Sequence, residues 1–62
     1  SEVSMSFQEI KIFEVLKEGA ILSADEICRL SGLGLPMVAA SLTMLEINGF
    51  ISKRADAKYE II

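Results

Sequence analysis

Six residues, Ser31-Gly32-Leu33-Gly34-Leu35-Pro36, divide the centre of this chain and limit what it can become. Two glycines stop one helix, and Pro36 opens the next as its first residue, where a missing N–H costs nothing. Upstream, Ser23-Ala24-Asp25-Glu26 is a start signal. The Ser23 hydroxyl can cap the free amide of Glu26 while the Glu26 carboxylate reaches back to the Ser23 amide. Asp25 and Glu26 also suit the positive end of the helix dipole. This helix runs to about Leu30, with Ala24, Ile27 and Leu30 facing the core. Asp25 and Arg29, four apart, can pair on the outside for a few tenths of a kcal/mol. The next helix runs to Asn48, and Gly49 ends it. Val38, Leu42 and Leu45 sit at i, i+4, i+7 and form its buried stripe.

The flanks complete the pattern. Phe7 to Glu18 reads as a helix with a broad apolar face of Ile10, Ile12, Phe13, Val15 and Leu16, and Gly19 stops it. Ala20-Ile21-Leu22 is too short for a helix and suits a small strand, with Ile21 adding to the later hairpin. Phe50 to Arg54 reads as a strand, Ala55-Asp56-Ala57 as a tight turn without the glycine such a tip favours, and Lys58 to Ile62 as the returning strand with Tyr59 and Ile61 on one face. The expected fold is mainly α with a small β-hairpin. It is a winged helix-turn-helix of three helices plus a two- or three-stranded wing sheet, spanning 7–62. Ser1-Glu2-Val3-Ser4 is polar and unpatterned, and residues 1–6 are assigned to a disordered linker or expression remnant.

A 62-residue chain has a thin core, burying only about 60% of the surface its unfolded form exposes. Its apolar share, 52%, rises to roughly 58% when its 4 glycines are counted, above the ~45–50% usual on that wider count. Some of that surplus is expected on the surface, where a contiguous patch marks an interaction site. Net charge is -3, the wrong sign for a domain that grips duplex DNA by its own field. One cysteine and no histidine exclude a disulfide within the chain and leave no metal-ligand spacing. The expectation is a cytoplasmic chain with no leader peptide and no membrane span, since no apolar run approaches ~18 residues.

Three stretches carry a resemblance: "LSADEICRLSGL", "VAASLTMLEINGFI" and the closing "KYEI". From Ile10 to Ile62 the chain resembles the C-terminal winged-helix domain of the bacterial DNA-processing protein A family, also called Smf. It departs from that pattern at Ala55-Asp56-Ala57, where the wing tip lacks glycine. The resemblance implies a parent protein with a Rossmann-like domain that binds single-stranded DNA and helps load the recombinase RecA in natural transformation. The winged helix would then be an accessory, with the single-strand site outside this chain.

The chemistry-bearing residues are few. With Val38, Leu42 and Leu45 inward, the third helix turns Met37, Ala40, Thr43, Met44 and Ile47 outward. A helix that reads base edges carries Arg, Lys, Asn or Gln there, and here Thr43 is the only polar side chain among them. Met37, Ala40, Met44 and Ile47 are spaced three, four and three, the rhythm of a seam between packed helices. Two readings stand side by side. In one, this stripe docks a protein: the chain's own Rossmann-like domain, another copy, or a partner helix. In the other, Met37 and Ile47 finish the intramolecular core.

Lys53, Arg54 and Lys58 cluster on the hairpin. They could lie along a DNA backbone and give weak, salt-sensitive, sequence-blind binding, or simply keep an exposed hairpin edge soluble. Cys28 reads as a small buried thiol without a base to activate it. Glu46 reads as a surface carboxylate and Tyr59 as the hairpin's core aromatic. No catalytic set, cofactor site or metal site is expected. A winged-helix transcriptional regulator is a further alternative, opposed by the absence of basic residues on the third helix.

Overall fold

The computed structural model describes residues 4–62. Among them the chain forms α1 (Phe7–Val15), β1 (Leu22–Ser23), α2 (Ala24–Ser31), α3 (Leu35–Ile47), β2 (Ile51–Lys53) and β3 (Lys58–Ile61). The strands make one antiparallel sheet in the order β1-β3-β2. β3 is central: Tyr59 faces Leu22 on one side and Lys53 on the other, while Ile61 faces Ile51. A lone hairpin would be marginal in water, and the third strand helps support it.

Both α1 and α2 start with the same device. The Ser23 N–H donates to Glu26 Oε1 at 2.9 Å, and the Glu26 N–H donates to Ser23 Oγ at 3.2 Å. Ser6 and Glu9 repeat it, with the Ser6 N–H donating to Glu9 Oε1 at 2.7 Å and the Glu9 N–H to Ser6 Oγ at 3.2 Å. The reciprocal box satisfies two orphan donors at each helix start. Ser6 is therefore part of the folded unit, and Met5 packs against the core. Both correct the assignment of residues 1–6 to a linker. Residues 1–3 lie outside the described residues.

Helix α1 ends at Val15, short of the expected Glu18. Glu18 and Gly19 take consecutive left-handed conformations, φ +63° and +75°, which breaks the helical path and sends the chain back toward the sheet. The strand that follows is Leu22–Ser23 rather than Ala20-Ile21-Leu22, so Leu22, not Ile21, joins the wing. Ile21 stays exposed.

The buried face of α2 also differs from the expected one. Leu30 is 60% exposed, while Ser31 is buried and Cys28 packs against the core. The inward set is Ala24, Ile27, Cys28 and Ser31, a true i, i+3, i+4, i+7 stripe. The Asp25–Arg29 pair does not form; the ion pairs among the described residues both belong to Arg54. Gly32, φ +76°, closes the helix, its N–H donating to the Cys28 carbonyl at 3.0 Å. Ser31 Oγ accepts the Leu33 N–H at 3.2 Å and ties the turn that follows.

The chain turns by 112° between α2 and α3, within the ~90–120° of a helix-turn-helix. Leu35 is the first residue of α3 and Pro36 the second, one place later than expected, still inside the turn whose N–H groups have no helical partner. Val38, Ser41, Leu42 and Leu45 are its buried residues. They meet Ile12 and Leu16 from the first helical segment, Ile27 from α2 and Ile51 from β2 in one core. Beside that core Phe13 and Phe50 pack edge to face, ring centres 6.1 Å apart.

The wing tip turns without glycine. The Ala57 N–H donates to the Arg54 carbonyl at 3.0 Å and the Arg54 N–H to the Lys58 carbonyl at 2.7 Å. Ala57 takes the left-handed position, φ +64°. That is the three-residue hairpin loop whose last position usually belongs to glycine. Asp56 braces it, Oδ1 accepting the Lys58 N–H at 3.2 Å.

Candidate functional site

Three inward apolar residues, Val38, Leu42 and Leu45, set the rotation of α3 about its axis. Everything on the far side follows from that phase. Ile47 is 71% exposed, Met44 46% and Met37 43%, and Ala40 is exposed with them. Helical spacing places all four on one stripe nearly three turns long. Met37 and Ile47 do not finish the core. Pro36 and Thr43 are also exposed and stand beside the stripe.

The stripe is nearly free of polar groups. Thr43 donates its hydroxyl to the Ala39 carbonyl one turn back, at 3.0 Å, so its one donor is used by the helix itself. Glu46 is the sole charged side chain on α3. Spacing puts it on the flank away from Met37 and Met44, and it too is exposed. A helix that is apolar all round normally lies inside a protein; this one leaves much of its apolar surface outside.

The wing's basic residues are partly answered by acids. Arg54 Nε lies 3.4 Å from Asp56 Oδ1, and its Nη1 lies 3.5 Å from Glu60 Oε2. Lys58 is half-buried beside Ser23 in the sheet, and its charge reaches Glu26. That carboxyl is held below its usual range, first by the Ser23 N–H, then by the Ser23 hydroxyl, against a smaller desolvation effect, with Lys58 and Arg29 adding a little. Lys53 is exposed. The structure thus brings Lys53, Arg54 and Lys58 to one hairpin but sets carboxylates among them.

The remaining candidates fall to structural roles. Cys28 is half-buried against the core, and Tyr59 is half-buried in the central strand. No group of three or more acidic or cysteine side chains that could hold a metal ion occurs among the described residues. A shallow cleft of about 320 Å³ lies between the end of α1 and β3, lined by Phe13, Leu16, Gly19, Ala20 and Ile61 with Lys17, Glu18 and Glu60. Sequence reasoning did not find it, because its shape depends on the left-handed turn at Glu18 and Gly19. No residue of α3 borders it. No single helix among the described residues is long and apolar enough to cross a membrane.

A short helix, a 112° turn, a third helix exposed along one side and a three-stranded wing define a winged helix-turn-helix domain. Comparison with protein families is specific about which kind. A family model described as DprA winged helix domain matches residues 5–57, and the chain belongs to that family. No curated protein and no solved structure matches it.

Proposed function

We propose that this winged helix is a non-catalytic accessory domain of a DNA-processing protein acting in DNA uptake and recombination, and that it docks a polypeptide through the outer face of α3. The observation that carries the reading is the chemistry of that face. Met37, Met44 and Ile47 are between 43% and 71% exposed. No cation stands among them, and the one hydroxyl beside them is bonded to its own backbone. A major-groove reader needs side-chain donors and acceptors at these positions. It also gains most of its affinity from cations near phosphate. Neither is supplied here. An adaptable thioether surface suits another protein instead.

Weak duplex binding through Lys53, Arg54 and Lys58 is the competing reading, and the two carboxylates on Arg54 count against it. The test is binding of the chain to the Rossmann-like domain of its parent protein, compared with Met44→Lys. Loss of binding in the variant, with an unchanged melting curve, supports docking. Equal binding by both chains rejects it.

A further inference from the structure

The chain has a single asparagine, Asn48, and a glycine follows it. The pair closes α3. Asn48 is the C-cap residue at φ -83° and ψ 0°, and Gly49 takes φ +81°. The Asn48 N–H donates to the Met44 carbonyl at 3.0 Å, the Gly49 N–H to the Glu46 carbonyl at 3.1 Å and the Phe50 N–H to the Leu45 carbonyl at 3.0 Å. This left-handed ending accounts for the glycine. It makes no use of the Asn48 side chain. Asn48 is exposed, and its side chain takes part in none of the side-chain hydrogen bonds among the described residues.

Asparagine is among the heat-labile residues, because its side-chain carbonyl carbon lies within reach of the next residue's main-chain nitrogen. A side chain on that next residue shields the nitrogen. Gly49 has none, and the space where a Cβ would stand is open, with nothing within 4 Å. We propose that Asn48-Gly49 is a self-modifying site, at which the Asn48 amide becomes a carboxylate when the end of α3 opens. The Gly49 nitrogen gives up its proton and bonds to Asn48 Cγ. The Cγ–Nδ2 bond breaks, and ammonia leaves with that proton. Water then opens the five-membered imide at one of its two C–N bonds. One opening leaves aspartate. The other leaves isoaspartate, with the main chain rerouted through the side chain. Water is the only reagent consumed.

The folded helix end holds this reaction back. At ψ 0° the Gly49 nitrogen eclipses the Asn48 nitrogen and is turned away from the Asn48 side chain. Its proton is engaged by the Glu46 carbonyl. Ring closure needs rotation about the Asn48 Cα–C bond, which breaks the hydrogen bonds of Gly49 and Phe50. Helix ends open at lower cost than the whole domain, so fraying of the last turn sets the rate. The products then weaken the cap. Either one places a negative charge at the negative end of the helix dipole. Isoaspartate also lengthens the main chain by one carbon just before Phe50, which packs on Phe13. Asn48 stands four residues beyond Met44, on the same line of the helix. The new charge therefore lands at the end of the apolar outer face. The site itself stands whether or not that face docks a protein.

Mass spectrometry of the chain kept for weeks at body temperature and mildly alkaline pH tests this. The folded chain should gain the mass of one amide-to-acid exchange. Peptide mapping should place it at Asn48 in two separable isomers. A guanidinium-unfolded sample should convert faster, by roughly tenfold or more, since the opening step is removed. Asn48→Gln should abolish the gain, because closure would then need a larger ring, and it leaves Gln8 as a built-in control. The purified converted chain should melt below the unconverted one. No gain in the folded chain while the unfolded sample converts, a gain that survives Asn48→Gln, or equal rates folded and unfolded would each overturn the proposal. Equal melting of converted and unconverted chains would overturn the link between the site and the cap.

Discussion

Thr43 donates its hydroxyl to the carbonyl of Ala39 at 3.0 Å, on the outward side of α3. In a helix that reads DNA, a threonine there would offer its hydroxyl to a base edge. Here the donor is turned back into the helix, and what faces outward is flanked by Met44 and Ala40. The bond removes the last hydrogen-bond donor from a surface that already lacks charge. Neighbouring positions on the same helix have opposite fates, and that contrast is measurable.

Met44 and Leu45 are adjacent in sequence, yet one is 46% exposed and the other 1%. Leu45→Ala should cost about 2–5 kcal/mol through lost burial and the cavity left behind. At roughly 0.05–0.15 kcal/mol per residue, a 62-residue chain has about 3–9 kcal/mol to lose, so the variant should lose half or more of its stability. Met44→Lys should change stability by no more than about 0.5 kcal/mol. Urea melts of the two variants check both outcomes. A large loss in Met44→Lys would mean that the side chain supports the fold.

The wing tip holds Ala57 at φ +64°, where a Cβ crowds the backbone by about 1–2 kcal/mol. Ala57→Gly removes that strain at the cost of a more flexible unfolded chain. The net expectation is about 1 kcal/mol of added stability, or a rise in Tm of roughly 4–8 °C for a domain of this size. Thermal denaturation reads it. An unchanged or lower Tm would show that the strain at Ala57 does not exceed the entropic cost of glycine.

Glu26 closes the capping box of α2, and its carboxyl titrates below the usual value near 4.5. A carboxyl depressed by folding adds stability above its unfolded value, and that stability is lost as the pH falls through the folded value. Glu26→Gln keeps a cap but discards the charge. The wild type should be the more stable at pH 7, and the gap should shrink as the pH drops below about 4.5. Melts of both chains from pH 7 to pH 3 test this. A gap constant with pH would place the effect elsewhere.

Much of the fold was legible because its boundaries are chemical. Ser23 and Glu26 announced α2, Gly32 ended it, and Pro36 marked the first turn of α3. The outer face of α3 was legible for the same reason, since Val38, Leu42 and Leu45 fix which side turns in. Leu30 was misplaced because spacing of three alone drifts around a helix of 3.6 residues per turn. Starting from Ala24, the set that holds its phase is Ile27, Cys28 and Ser31. Ser31 and Ser41 are buried, and small polar residues give no apolar signal to follow. The capping box at Ser6 has the same S-x-x-E pattern as that at Ser23. It went unread because Ser6 had been grouped with the polar leader. The left-handed turns at Glu18 and Ala57 leave no trace in side-chain type, so the early end of α1 and the shape of the wing tip had to come from the backbone.

The wing offers at most three cations, and Arg54 is shared with Asp56 and Glu60. Any duplex binding should therefore be weak, with a salt slope no steeper than about -2.7, the value for three neutralised phosphates. Lys53→Glu should abolish it. Fluorescence anisotropy with a labelled duplex at several salt concentrations measures the slope. A steeper slope would require cations outside the wing.

The central claim is that the outer face of α3 meets protein and not nucleic acid. Its most direct test is an NMR titration of the isotope-labelled chain with duplex DNA, single-stranded DNA and the Rossmann-like domain of the proposed parent protein in turn. The account predicts that the resonances of Met37, Ala40, Met44 and Ile47 move with the protein domain and stay fixed with either DNA, any DNA response being confined to Lys53, Arg54 and Lys58. Saturable shifts of the four α3 residues on adding duplex DNA would contradict it.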